Sequence, residues 1–146
     1  VDPARVVEIA RQLVGFGADE IAFGDTTGMA NPVQVKRFFT DLELRTQLTA
    51  HFHNTRGQGL ANVFAAWEAG VRSFESSFGE LGGCPVPAGA TGNVATEDVV
   101  SMLHEMGVET GIDLEALLAC SRAAQDHLGR PLGSHTLIAG PVDWHV

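Results

Sequence analysis

Short apolar strands alternate with amphipathic helices along this chain at intervals of roughly 25 to 35 residues, which restricts the fold to parallel βα units. Asp2-Pro3 is a helix cap and first-turn pair, after which Val6, Ile9, Ala10, Leu13 and Val14 share one helical face, ended by Gly15 and Gly17. A short strand follows at 20–24, and Asn31-Pro32 restarts a helix carrying Val35, Phe38, Phe39 and Leu42. The pattern repeats with a strand at 48–52, then a helix from about Gly57 with Leu60, Ala61, Phe64, Ala65 and Trp67 that stops at Gly70. Residues 71–74 make the next strand, and a Gly- and Pro-rich loop at 79–92 leads to a helix with Val99, Val100, Leu103 and Met106. A short segment at 107–110 precedes a final helix from Asp113 to about Leu128. Periodicity leaves an open doubly wound sheet and a piece of a barrel equally available. Both place ligands beyond the C-terminal ends of the strands, where Asp25, His51, His53 and the loop up to Asn93 cluster.

The 146 residues are 45% hydrophobic and 18% charged, the composition of one globular domain with a real core. A formal charge of −9 repels nucleic acid and anionic membranes, so neither is an expected partner. It also requires any phosphate-binding patch to be local or to lie outside this chain. The two cysteines, Cys84 and Cys120, have dissimilar surroundings, which points to a reducing, cytoplasmic setting without a disulfide framework. No apolar run reaches the roughly 20 residues needed to span a bilayer, and Val1-Asp2-Pro3 is not the start of a signal peptide. The missing initiator Met reads as a processed, truncated or excerpted chain.

His51-Phe52-His53 ends a strand, and the two-residue period points both imidazoles to one face. Such a pair either shares a metal ion or is simply hydrogen-bonded. Cys84, in Leu81-Gly82-Gly83-Cys84-Pro85, sits where glycines and prolines suit a mobile active-site loop, although a single cysteine is also commonly inert. Asn93, just before a helix, serves as a cap or offers its amide oxygen to a hard cation. Cys120, among Leu117, Leu118 and Ala124, reads as a small core residue.

In order, the segments Gly24-Asp25-Thr26-Thr27-Gly28, His51-Phe52-His53-Asn54-Thr55-Arg56-Gly57, Gly82-Gly83-Cys84-Pro85 and Gly92-Asn93-Val94-Ala95-Thr96-Glu97-Asp98 closely resemble the 3-hydroxy-3-methylglutaryl-CoA lyase family. The resemblance runs from about Ile21 to Leu128. It implies a parallel TIM-type (β/α)8 barrel, here an incomplete one of about four βα units forming a single domain, with 131–146 as a tail that has no counterpart. His51 and His53 would end the sixth strand, and Cys84 and Asn93 would lie on the loop after the seventh. By the same resemblance His51, His53 and Asn93 ligate Mg2+ or Mn2+, with Zn2+ also acceptable to the imidazoles. Cys84 would be the proton-transfer residue, with His51 a second candidate for handling the hydroxyl proton. Asp25 and Arg56 would contact an acyl-CoA thioester substrate, whose carbon–carbon bond is cleaved to acetyl-CoA and acetoacetate.

The family also supplies an Arg-Asp pair at the end of its first strand, and no such segment precedes Val1, so the isolated chain is expected to be inactive. Half a barrel exposes sheet edges, which favours a homo-oligomer or pairing with the missing half. Asn54 stands where these lyases commonly have Asp, which leaves a related hydroxyacyl-CoA lyase, a Claisen-type acyl-CoA synthase or a non-catalytic half-barrel as alternatives. The synthases lack a Gly-Gly-Cys-Pro loop, so Cys84 favours the lyase. His135, Trp144 and His145 in the tail read as surface groups.

Overall fold

The computed structural model of the chain describes residues 1–83 and 89–143. The chain divides into two compact units, Val1–Glu75 and Ser76–Val146.

The first unit alternates helix and strand throughout: α1 (Pro3–Gly15), β1 (Glu20–Asp25), α2 (Pro32–Thr40), β2 (Gln47–Phe52), α3 (Gly59–Glu68) and β3 (Ser73–Glu75). The strands form a parallel sheet in the order β1-β2-β3, with Gly24 beside His51 and His51 beside Glu75 in register. Parallel neighbours need a crossover, and α2 and α3 supply it. The helix starts follow the sequence signals. Asp2 accepts the Ala4 amide at 3.0 Å, and Asn31 with Gln34 closes a reciprocal capping box in front of Pro32. Val35 and Phe39 are buried as the spacing requires, and Phe23, Phe38 and Phe39 meet edge-on at 5.2–5.8 Å.

Three readings of this unit change. The buried face of α3 is Gly59, Asn62, Val63 and Ala66, with Ala65 beside it, while Ala61 and Phe64 are exposed. A helix that is apolar on nearly every side gives periodicity no face to mark, and small residues decide which side approaches the sheet. Of the apolar face of α1, Ala10 alone is fully buried, and Ile9 and Leu13 keep 44% and 46% of their surface exposed. The third strand also begins later than expected, at Ser73, so that Glu75 is its last residue.

The second unit contains a 3-10 turn at Phe78–Glu80, then α4 (Thr96–Glu105), α5 (Leu114–Leu128) and α6 (His135–Ala139). An isolated parallel bridge joins Ser77 to Ala95, and no strand forms at 107–110. Val94, Ala95, Val99, Val100, Leu103, Leu118 and Leu132 make its apolar core. Cys120 is not part of that core: it is exposed and has a free thiol. Leu118 and Ser121 fix the inward face of α5, and a residue two positions from Leu118 is turned about 200° away from it. Within the tail, Ser134 caps α6 by accepting the Leu137 amide at 3.0 Å. Among the described residues, no helix is long and apolar enough to cross a membrane.

Candidate active site

His51 is the penultimate residue of β2 and His53 lies one residue beyond the strand, so both imidazoles leave the same face while Phe52 turns into the core. Their ring centroids are 5.1 Å apart with planes inclined by 48°, close enough for both rings to face one small ion. His53 is buried and His51 partly so. Glu75 projects from the neighbouring strand, and its Oε2 lies 2.7 Å from His51 Nδ1. That contact occupies one ring nitrogen of His51, leaving Nε2 for either ligation or proton transfer.

Asp25 and Arg56 also stand at this end of the sheet, engaged with their own loops. Asp25 pairs with Phe52 in register, and its two carboxylate oxygens accept the Met29 and Ala30 amides at 3.0 Å each. Arg56 Nη1 donates to the carbonyls of Thr27 and Gly28, at 2.8 and 3.2 Å, tying the loop after β2 to the loop after β1. Asn54 accepts the Gly59 amide at 2.9 Å and so sets the entry to α3. A separate apolar cavity of about 630 Å³, lined by Phe23, Phe38, Phe39 and Phe52, includes Asp25 but neither histidine.

Asn93 belongs to the second unit, where its surroundings explain the glycines around it. A Cβ on Gly92 would stand 1.8 Å from the Glu80 carbonyl oxygen and 2.6 Å from that of Leu81. A Cβ on Gly82, whose φ is +103°, would come within 4.0 Å of Asn93 Oδ1. The amide oxygen thus lies near Gly82; Cys84 itself lies outside the described residues. Gly92→Ala should drive the backbone apart at Glu80 and destabilise the chain by about 1–3 kcal/mol, the usual scale of overpacking. A thermal melt follows this directly; an unchanged midpoint would mean the close approach is not maintained in solution.

Two carboxylates that the motifs did not single out organise this unit. Glu97 is fully buried: both its oxygens accept the Gly79 amide at 3.0 Å, and Ser121 donates its hydroxyl to Oε1. Asp98 holds the tail, accepting the Ser134 hydroxyl at 2.8 Å and the amides of His135 and Thr136 at 3.1 and 2.8 Å. Burial alone would raise the carboxyl pKa of Asp98. The hydrogen bonds from Thr136, Ser134 and His135 together outweigh it and hold the pKa below the ordinary carboxylate range. The clamp is therefore complete above the unfolded value and weakens as pH falls through the folded one. The sequence signal for both residues was the acidic first turn of α4, which reads equally well as a solvated turn complementing the helix dipole.

Among the described residues, no group of three or more His, Cys, Asp and Glu side chains is placed to hold a metal ion. Imidazole nitrogens and an amide oxygen are donor types that suit a divalent cation.

The profile of the HMGL-like family matches residues 1–123. The chain belongs to the HMGL-like family. This HMGL-like chain is 49% identical over 145 residues to the (R)-citramalyl-CoA lyase of Chloroflexus aurantiacus, covering 97% of the chain and 46% of that protein. It is 42% identical over 136 residues to the hydroxymethylglutaryl-CoA lyase YngG of Bacillus subtilis, covering 91% of the chain and 46% of that enzyme. Among solved structures, an HMG-CoA lyase from Acinetobacter baumannii in complex with coenzyme A and 3-methylmalate matches with a TM-score of 0.92 and 45% identity. That match covers the whole of this chain and 49% of the other. The HMGL-like chain thus spans about half the length of the relatives it matches. Its parallel α/β sheet is that of a TIM-barrel family, in keeping with part of a barrel.

Proposed function

We propose that this chain carries part of the active site of an acyl-CoA carbon–carbon lyase acting on 3-hydroxy-3-methylglutaryl-CoA. The observation that carries the reading is the pair of imidazoles, 5.1 Å apart, at the C-terminal end of a parallel strand. It is supported by the likeness to named lyases.

His51, His53 and Asn93 would hold a divalent cation, Mg2+ or Mn2+, with Zn2+ compatible with the imidazoles. When bound, such an ion would polarise the oxygens of a chelating substrate and lower the pKa of its tertiary hydroxyl. With Nδ1 of His51 hydrogen-bonded to Glu75, its Nε2 is the atom that would either ligate the ion or accept the hydroxyl proton. The bond between C2 and C3 then breaks, C3 becoming the ketone of acetoacetate while the electron pair stays on C2 as the acetyl-CoA enolate. The Cys84 thiol donates the proton that turns the enolate carbon into the methyl group. Asp25 and Arg56 act beside this chemistry, through the loops they fix and the anionic substrate those loops admit.

A second reading is favoured by the 49% identity to a citramalyl-CoA lyase and by Asn54 after the second histidine. Citramalyl-CoA carries the same tertiary hydroxyl β to a thioester, and the same bond cleavage would give acetyl-CoA and pyruvate. The deciding experiment incubates the chain, alone and with a separately made first half of such a barrel, with each thioester and Mn2+. Acetoacetate should appear, and in the mixture above all; pyruvate alone would move the substrate to the second reading, and neither product would leave a non-catalytic half-barrel. Metal binding is checked by calorimetry, where His53→Ala should weaken Mn2+ binding about 100-fold. Unchanged affinity would remove the histidine pair from the site. We place the protein in the cytoplasm, where the exposed, free Cys120 stays reduced.

A further inference from the structure

Glu75 is a carboxylate that the structure sets against His51, and the motifs give it no task. It stands opposite His51 in register on the adjoining strand, with its Oε2 2.7 Å from His51 Nδ1. An ionised carboxylate only accepts hydrogen bonds, so in the neutral ring the proton must reside on Nδ1 and the lone pair on Nε2. The contact also fixes the ring plane, since a charge-assisted bond of this length holds a side chain that is only partly buried. Glu75 reaches this position because β3 extends to residue 75 and the parallel register brings its last residue level with His51.

We propose that Glu75 is a positioning residue, which locks His51 as the Nδ1–H tautomer and aims Nε2 at the cation; this rests on the metal-site reading above. Carboxylates behind ligating imidazoles raise ligand basicity and restrict ring rotation, and removing one typically weakens metal affinity 10- to 100-fold. The side chain of Glu75 remains 55% exposed, so its replacement should leave the fold intact.

The test combines two readouts on the same samples: nitrogen-15 spectra of the histidine rings in the metal-free chain, and Mn2+ affinity from water-proton relaxation. In the unsubstituted chain His51 should be in the Nδ1–H form. In Glu75→Ala it should shift towards the Nε2–H form favoured by free imidazoles, with the Mn2+ dissociation constant raised 10- to 100-fold. Glu75→Gln, whose amide oxygen can still accept the Nδ1 proton, should keep more of the tautomer bias and lose less affinity. An unchanged tautomer in Glu75→Ala, or Mn2+ affinity within twofold while His53→Ala loses it, would overturn the role of Glu75. A tautomer that switches in Glu75→Ala while the unsubstituted chain fails to take up Mn2+ would instead overturn the metal-site reading, and the aiming role with it.

Discussion

Replacing Glu97 by alanine is expected to destabilise the second unit by about 3–5 kcal/mol, the roughly 1–3 kcal/mol of a buried donor left unsatisfied added to the cost of the cavity left by the side chain. Its side chain is fully buried, and the Gly79 amide is directed at its two oxygens. Alanine would leave that N–H without an acceptor in an apolar setting and open a void where the carboxyl stood. Ser121 would suffer less, because its hydroxyl can donate to the Leu117 carbonyl at 3.0 Å. Since whole domains are stable by only about 5–15 kcal/mol, a loss of this size should be plain in a urea titration. Glu97→Gln keeps one acceptor for Gly79 and should lose distinctly less. A shift below about 0.5 kcal/mol for the alanine variant would mean that water replaces the carboxyl and that Gly79 does not depend on it.

The second large effect concerns chemistry rather than stability. In a preparation with lyase turnover, the chain alone or combined with a first half-barrel, Cys84→Ser should reduce turnover by roughly 100-fold or more, the range for losing a positioned acid. A thiol ionises near pH 8.5, whereas a serine hydroxyl is a far weaker acid and releases a proton to an enolate carbon much more slowly. Metal affinity should stay nearly unchanged, because the proposed ligands are His51, His53 and Asn93. Turnover close to normal would reduce Cys84 to a loop residue. It would also remove the strongest sequence argument for a lyase over a synthase.

Local signals in the sequence carried the first unit well. Asn31-Pro32 capped a helix as expected, His51 and His53 fell on one face, and Asp113 closed its helix by accepting the Ala116 amide. These features depend on residues within one turn or one strand of each other. What stayed hidden depends on partners far along the chain. Glu97 is explained by Gly79 and Ser121, and Asp98 by residues 134–136. Glu75 is explained by a register no periodicity reveals. Cys120 misled because three apolar neighbours in sequence suggested a core position, while the helix turned its thiol outwards. At Asp25 and Arg56 the structure adds the loop contacts, a structural task that a motif cannot distinguish from a catalytic one.

The turn at Gly79 has an implication for how the protein is made. Gly79 adopts φ +48° and Glu80 φ +61°, and the turn is held from beneath by Leu132, while the Gly79 carbonyl accepts the Gly133 amide at 2.9 Å. During synthesis at about 5–20 residues per second, the first unit can pair its strands as soon as Glu75 has left the ribosome. The turn cannot settle until the tail has followed, some seconds later. In that interval the segment that begins at Gly79 lacks the contacts that shape it. Leu132 and Gly133, which carry no motif of their own, thus decide when that turn takes its final shape.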